Sequence, residues 1–574
     1  MWQSLADAPD LVTLFRARVE DRPTAEAVAF LADPDDLTGG LVRWSYARLD
    51  EEARSRAAWL QENVPAGSRV LLLHPNGLEF AAAFFGCLYA GMIAVPAPLP
   101  GRHPHHRKRL AAVAADSGAA AALTTSRDLA EVHTWMRDMG VTTIRTAAGD
   151  EPGFGDPQTW APPRLDRSTT ALLQYTSGST GTPKGAVIHH DHLLYNGGEG
   201  MRALQWRGPS GGGWLPLYHD MGLNLFLWPL LRGDRSVLMD PLAFIRRPLR
   251  WLKLIEQENM TVSFAPNFAF ELCTRKVSEE QTAELDLSRW DLAGCGSEPI
   301  APDILNGFTA KFAASGFRPE SLVPVYGLAE ATVFVSGHPG RPPVTRKVDL
   351  DALAQGTFTP AASAAQTREI VSCGIPTPAA EIRIVDPTSR EVLPESSLGE
   401  IWLRGRSISP GYWQRDDNAE TFDAATADGD GGYLRTGDIG VLHDGELYVH
   451  GRLKDVIIAH GRNIYPQDVE QELRAQHPEL GNVGVVFGGP GYAQGDDSMV
   501  VVTHEVRRVQ HEGLAALAAG IRHTVGREFG ISVDSVALLK PGSVLRTTSG
   551  KVRRAAMRDL FHQGLLTPLY QDPH

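Results

Sequence analysis

Cysteine is scarce in this chain. Cys87, Cys273, Cys295 and Cys373 are the only four in 574 residues. Their spacing matches neither a zinc-ligand pattern nor a disulfide framework, so reduced, buried thiols and a cytoplasmic location are expected. An excess of positive charge is missing too. The formal net charge is −13, which excludes a general nucleic-acid binder, because phosphate backbones require clustered Lys and Arg. Long apolar runs are also lacking. The best candidate, FAAAFFGCLYAGMIAV (80–95), is too short to span a membrane and meets Pro96, Pro98 and Pro100 at once. It predicts a buried helix feeding a strand. The N-terminal MWQSLADAPD carries no basic stretch ahead of an apolar core, so no signal peptide is expected.

What is present reads as a soluble globular chain, 43% apolar and 21% charged, and long enough for several domains. The first part alternates strand and helix patterns, with RVLLLHP (69–75) as a buried strand and a helix over 77–90. Near residue 380 the texture changes. EIRIVDP, SLGEIWLRG and VLHDGELYVHGR alternate apolar and polar residues, and Asp444-Gly445 marks a hairpin. A helix opening at Pro466, strands at 482–488 and 499–506, a helix over 513–528 and strand SVALLK follow. The expected class is α/β: a large N-terminal domain of βα layers with a small β-barrel-like subdomain (1–451), a hinge (452–455), and a small mobile α+β C-terminal domain (456–574).

YTSGSTGTPKGAVIHH (175–190) has the composition of a phosphate loop. Small residues let backbone N–H groups approach oxygens, and Thr176, Ser177, Ser179, Thr180 and Lys184 add hydroxyls and charge around Gly178 and Gly181. The nucleotide-loop pattern G-x-x-x-x-G-K-[ST] nevertheless fails twice. The sixth position from Gly178 is Pro183, and Gly185 rather than Ser or Thr follows Lys184. A loop between two strands, ALLQYT and GAVIH, is expected instead of a strand-to-helix turn.

This segment resembles the phosphate-binding segment of the adenylate-forming superfamily, which includes acyl-CoA synthetases, luciferases and peptide-synthetase adenylation domains. Further resembling segments follow in the family order: GCGSEPI (294–300), YGLAEAT (326–332), YLRTGDIG (433–440), GRLKD (451–455) and RTTSGKVRR (546–554). The resemblance implies that ATP activates a carboxylate by adenylation, with pyrophosphate expelled. The substrate carboxylate is then the nucleophile, and the protein aligns groups and stabilises phosphoryl charge. It further implies Lys551 as the principal catalytic cation, His219 near the acyl carboxylate and α-phosphate, and Glu330 as the ligand of Mg2+, a hard cation that prefers carboxylate oxygen. Tyr326 and Gly327, with Gly296, Ser297 and Glu298, would border adenine. Asp438 would accept from the ribose hydroxyls with Arg452 behind it, and Lys454 would be the hinge. Two positions depart from the family pattern. Ala329 stands where Thr is frequent, which makes Thr332 a candidate for the α-phosphate contact, and Leu545 stands where Pro is frequent.

PLYHDMGL (216–223), GRNIYPQDVE (461–470) and the long segment 348–374 resemble the fatty acyl-AMP ligase branch. That branch passes acyl groups to the phosphopantetheine arm of an acyl carrier protein, and its insertion is thought to restrain the small domain and disfavour CoA. Rival expectations are an acyl-CoA ligase and an inactive adenylate-binding scaffold. Lys540–Arg558 holds six basic residues and no Asp or Glu, a candidate docking face for an acidic carrier. HHDH (189–192) and RHPHHRKR (102–109) read as surface residues and as a solvated turn before a helix near Leu110. Acyl chain length is not readable, because it depends on which side chains meet in a tunnel.

Overall fold

The computed structural model describes residues 5, 7–32, 40–102, 104–175, 183–361, 367–459, 462–489, 499–507, 511–546 and 552–573. The N-terminal part is built on two predominantly parallel sheets. In a six-stranded sheet the order is Arg145–Ala148, Ala121–Thr124, Arg69–Leu73, Ile93–Ala97, Thr170–Tyr175, Gly185–His189. The last two strands pair antiparallel, as a loop between strands requires. In a nine-stranded sheet, Arg235–Leu238, Ser210–Gly213, Val262–Ala265, Leu292–Cys295 and Leu322–Tyr326 run parallel side by side. Helices fill the space between the sheets. Helix Leu78–Tyr89 is buried almost throughout because it is apolar on every face, and it packs into the core with Phe15 and Phe226.

Residues 380–452 form a four-stranded antiparallel meander. Asp444 and Gly445 both take positive φ at the hairpin tip, +52° and +73°, which is the geometry of a primed turn. The sheet stays open among the described residues, not barrel-like, because four strands are too few to close around a filled interior. Segment 348–374 carries helix Leu350–Ala354 and strand Thr367–Val371, paired with Thr345–Asp349.

Beyond Arg452 the chain turns through a short 3-10 segment, Leu453–Asp455, into a second core of Ile457, Val469, Val502, Ile521 and Val536. A four-stranded sheet and helices Pro466–Gln476, Leu514–Phe529 and Arg554–His562 surround it. All four cysteines are unpaired and buried, and burial raises each thiol's pKa. No helix among the described residues is long and apolar enough to cross a membrane.

Two surface readings are corrected. The helix expected near Leu110 starts at Pro104 and runs to Ser117. Proline's fixed φ suits a first helical position, and the indole of Trp135 donates to the Arg107 carbonyl at 3.0 Å. In HHDH, His190 and His192 are buried, not exposed. The Nδ1 of His190 accepts from the Leu11 amide at 3.2 Å and the Nδ1 of His192 from the His189 amide at 3.1 Å. Burial lowers both rings to a pKa of about 4, so they act as neutral acceptors.

Candidate active site

Parallel strands deliver several candidate segments to one edge. In open α/β sheets ligands bind beyond the carboxyl ends of the strands. Leu292–Cys295 ends immediately before Gly296, Ser297 and Glu298, and its neighbour Leu322–Tyr326 ends on Tyr326. The close approach at this edge needs glycine. A Cβ on Gly296 would stand 2.8 Å from the Val325 carbonyl oxygen, and one on Gly327 would stand 1.5 Å from that of Val333. Ser297 and Thr332 have positive φ, +70° and +71°, a strained state for a β-branched Thr of the kind that clusters at functional sites. The Thr332 hydroxyl donates to the Ser407 carbonyl at 2.8 Å. The Glu298 carboxylate accepts from the Phe268 amide at 2.7 Å.

The meander supplies the opposite wall. Asp438 and Arg452 are register partners on adjacent strands. The Tyr326 phenol donates to Asp438 Oδ2 at 2.8 Å, and Arg452 Nε lies 3.0 Å from Asp438 Oδ1. Each carboxylate oxygen therefore already holds one donor and keeps lone-pair capacity for another. Burial and the Asp438 charge push the Tyr326 phenol well up, so it remains a donor.

Glu330 sits on the 3-10 turn Ala329–Ala331. Its Oε1 accepts from the Tyr412 hydroxyl at 2.7 Å. Burial raises the carboxyl's pKa, opposed by that hydrogen bond and by Arg452. Lys184 stands over the Tyr412 ring, 5.0 Å from its centroid, and 3.9 Å from Asp417 Oδ2. Tyr412 thus links Lys184 to Glu330, although sequence reasoning passed over it. The segment 411–413 is laid along strand Gly185–His189 by Val187 N–H to Gly411 O and Trp413 N–H to Gly185 O. The only sequence signal was SPGYW (409–413), a turn followed by an aromatic pair.

His219 occupies the N-cap position of helix Asp220–Arg232 without a side-chain capping bond, and its ring lies 4.8 Å from that of Tyr218. Buried Asn76, also missed, fixes the loop ahead of it. Its Nδ2 donates to the Leu215 carbonyl at 2.8 Å and its Oδ1 accepts from the Leu217 amide at 3.0 Å. Beside this helix opens a pocket with about 480 Å3 of empty volume, its mouth included. Asp220, Ser297, Tyr326 and Gly327 line it together with apolar Met221, Leu225 and Trp228.

Thr176, Ser177, Gly178, Ser179, Thr180, Gly181 and Lys551 lie outside the described residues. Arg546 and Val552, which flank the lysine segment, form an antiparallel bridge. Burial and the charge of Arg553 lower the pKa of Arg109, opposed by Tyr218. Arg554 is tied inward. Its guanidinium pairs with Glu470, Nη2 to Oε2 at 3.3 Å, and lies 3.8 Å from Asp455.

Segment 348–374 contacts the small unit directly. Arg368 Nη2 lies 3.0 Å from Asp468 Oδ1, and His450 Nε2 lies 3.4 Å from Asp468 Oδ2. Burial pushes the Asp468 carboxyl up, but Arg368 and His450 outweigh it and hold the group below the ordinary range.

The profile of the AMP-binding enzyme family matches residues 15–413, and that of the Disco-interacting protein 2-like AMP domain matches 454–570. The medium-chain-fatty-acid–[acyl-carrier-protein] ligase JamA of Moorena producens is 37% identical over 572 residues, 97% of this chain and 95% of that one. The long-chain-fatty-acid–AMP ligase FadD26 of Mycobacterium marinum is 36% identical over 573 residues, 95% of this chain and 96% of that one. Among solved structures, the fatty acyl-adenylate ligase of L. pneumophila in complex with acyl adenylate and pyrophosphate superposes with a TM-score of 0.74. It is 31% identical and covers 99% of this chain and 98% of that one. The chain belongs to the AMP-binding, adenylate-forming enzymes, in their fatty acyl-AMP ligase branch.

Proposed function

We propose that this protein activates a fatty acid with ATP and hands the acyl group to the phosphopantetheine thiol of an acyl carrier protein. In the first step a carboxylate oxygen attacks the α-phosphorus and the bond to pyrophosphate breaks. In the second the phosphopantetheine thiol gives its proton to solvent, the resulting thiolate attacks the acyl carbon, and the acyl–oxygen bond breaks to release AMP, with no redox partner needed. The observation that carries this reading is one largely apolar pocket lined by both Asp220 and Tyr326, with the Tyr326–Asp438–Arg452 array joined to it through Tyr326.

In this reading Tyr326, Gly327, Gly296, Ser297 and Glu298 border adenine, and Asp438 takes the ribose hydroxyls while Arg452 holds its charge. Lys184 meets the leaving phosphates, His219 orients the carboxylate, and Lys551 brings the main positive charge from the small domain. Thr332 remains the candidate for the α-phosphate only if its hydroxyl leaves the Ser407 carbonyl. Among the described residues no three His, Cys, Asp or Glu side chains form a metal cluster. Mg2+ is usually held by one or two carboxylates plus substrate phosphates and waters rather than by such a cluster. Glu330 would be that carboxylate, with Tyr412 fixing one oxygen and leaving the other. When bound, the ion would neutralise phosphate charge.

The 37% identical acyl-carrier-protein ligase JamA supports a carrier protein over CoA as acceptor, and the Arg368–Asp468 ion pair joins segment 348–374 to the small domain. Lys454 is the hinge in this reading. The test is carboxylate-dependent exchange of labelled pyrophosphate into ATP, followed by acyl transfer with holo-carrier protein and with CoA in parallel. Exchange without any acid requirement, or faster transfer to CoA than to the carrier, would refute it.

A further inference from the structure

The relatives' names span medium-chain and long-chain acids, so kinship leaves chain length open. The pocket narrows it. Asp220, Asn224 and Trp228 line it at successive turns of one helix face, and no later residue of that helix reaches it. At about 1.5 Å rise per residue, Trp228 lies roughly 12 Å along the helix from Asp220. An extended hydrocarbon advances about 1.25 Å per carbon, given bonds of about 1.5 Å at tetrahedral angles. The distance therefore accommodates roughly nine or ten carbons.

The indole is seated rigidly. Trp228 is 3% exposed. Its ring lies against helix His190–Ala203 where that helix has no side chains: a Cβ on Gly200 would fall 2.6 Å from the indole Cη2, and one on Gly197 would fall 3.3 Å from Nε1. The rings of Phe334 and Trp206 stand 6.3 Å and 6.2 Å away. Asn196 pins the Phe334 backbone from both sides, donating to its carbonyl at 2.9 Å and accepting from its amide at 3.2 Å. On its side away from the pocket the indole abuts the Gly197–Gly200 helix face, so an occupant cannot push it outward, since close-packed interiors yield little.

We propose that Trp228 is the floor of the acyl pocket and restricts the substrate to medium-chain acids. The inference rests on the reading above, which places the carboxylate at the His219–Asp220 end. Because one methylene more or less in a fitted apolar pocket changes selectivity about tenfold or more, the cutoff is expected to be steep.

The test is pyrophosphate exchange with straight-chain acids from hexanoate to palmitate, in the full chain. The wild type should peak near octanoate to decanoate and fall at least a hundredfold in kcat/KM by tetradecanoate. Trp228→Ala should move the optimum at least four carbons longer, and Trp228→Phe by less. Gly200→Ala acts from outside the pocket by pushing the indole inward, and should move the optimum shorter. It decides the matter even where Trp228→Ala fails to fold. A wild type that uses palmitate as well as octanoate, or profiles unmoved in soluble Trp228→Ala and Gly200→Ala, would overturn the floor while leaving adenylation intact. Exchange with no acid of any length would overturn the adenylation reading itself, and the floor with it.

Discussion

Removing Arg368 should release the small domain. Its guanidinium reaches from strand Thr367–Val371 to Asp468 on helix Pro466–Gln476, with 16% and 5% of the two side chains exposed. Breaking a buried pair from one side leaves an uncompensated charge, which costs about 3–5 kcal/mol. His450 still faces Asp468 and Arg368 is not fully buried, so the lower end, about 3 kcal/mol, applies. At about 1.4 kcal/mol per tenfold change, Arg368→Ala shifts the balance between seated and released domains roughly a hundredfold towards release. The four native cysteines are buried, so cysteines introduced at exposed Glu279 and Ala516 can carry a fluorescent pair without background labelling. Energy transfer between the dyes should fall and its distribution broaden in Arg368→Ala. Asp468→Asn should do the same, and the double variant should lose less than the sum of the two. Unchanged energy transfer in a folded Arg368→Ala protein, or strict additivity, would refute the role of this ion pair in seating the small domain.

Other expectations follow from the same geometry. Tyr412→Phe deletes the donor to Glu330, a charge-assisted hydrogen bond whose loss costs about 1–3 kcal/mol. Pyrophosphate exchange should drop, and the melting temperature should fall by only a few degrees because that cost is spread over a large unfolding entropy; normal exchange would remove Tyr412 from the site. Gly327→Ala places a Cβ 1.5 Å from the Val333 oxygen, so a large fall in melting temperature or loss of soluble protein is expected. Asp468 has a depressed carboxyl pKa, so its contribution is complete above the unfolded value of about 3.9. That contribution is lost as pH falls through the folded value. Dye separation in the wild type should therefore stay constant from neutral pH to about pH 5 and change only in stronger acid.

Much of the architecture was legible because local patterns carry their own physics. Asp444-Gly445 could form a tight hairpin without help from the rest of the chain, and the failed nucleotide-loop pattern at Lys184-Gly185 correctly separated two strands. Pro104 shows the converse. Its basic, histidine-rich neighbourhood looked like solvated turn, yet proline opened a helix whose Leu110, Val113 and Ala114 face is buried in the core. His190 and His192 were misread for a related reason. Polar residue types suggested exposure, but their ring nitrogens meet backbone amides inside the protein. Tyr412 and Asn76 could not be found from spacing, since each acts on residues distant in the chain.

The sequence by itself determined the reaction family, because the segments that resemble the family's are short and each keeps its order and residue types. It also determined the alternation of layers, because strand and helix periodicity is local. Only the tertiary structure decided that Tyr412 joins Lys184 to Glu330, that Asp468 is shared between Arg368 and His450, and that Trp228 lines the pocket. Those facts depend on distances between residues far apart in sequence, and a glycine at 200 has meaning for Trp228 only once two helices have packed against each other.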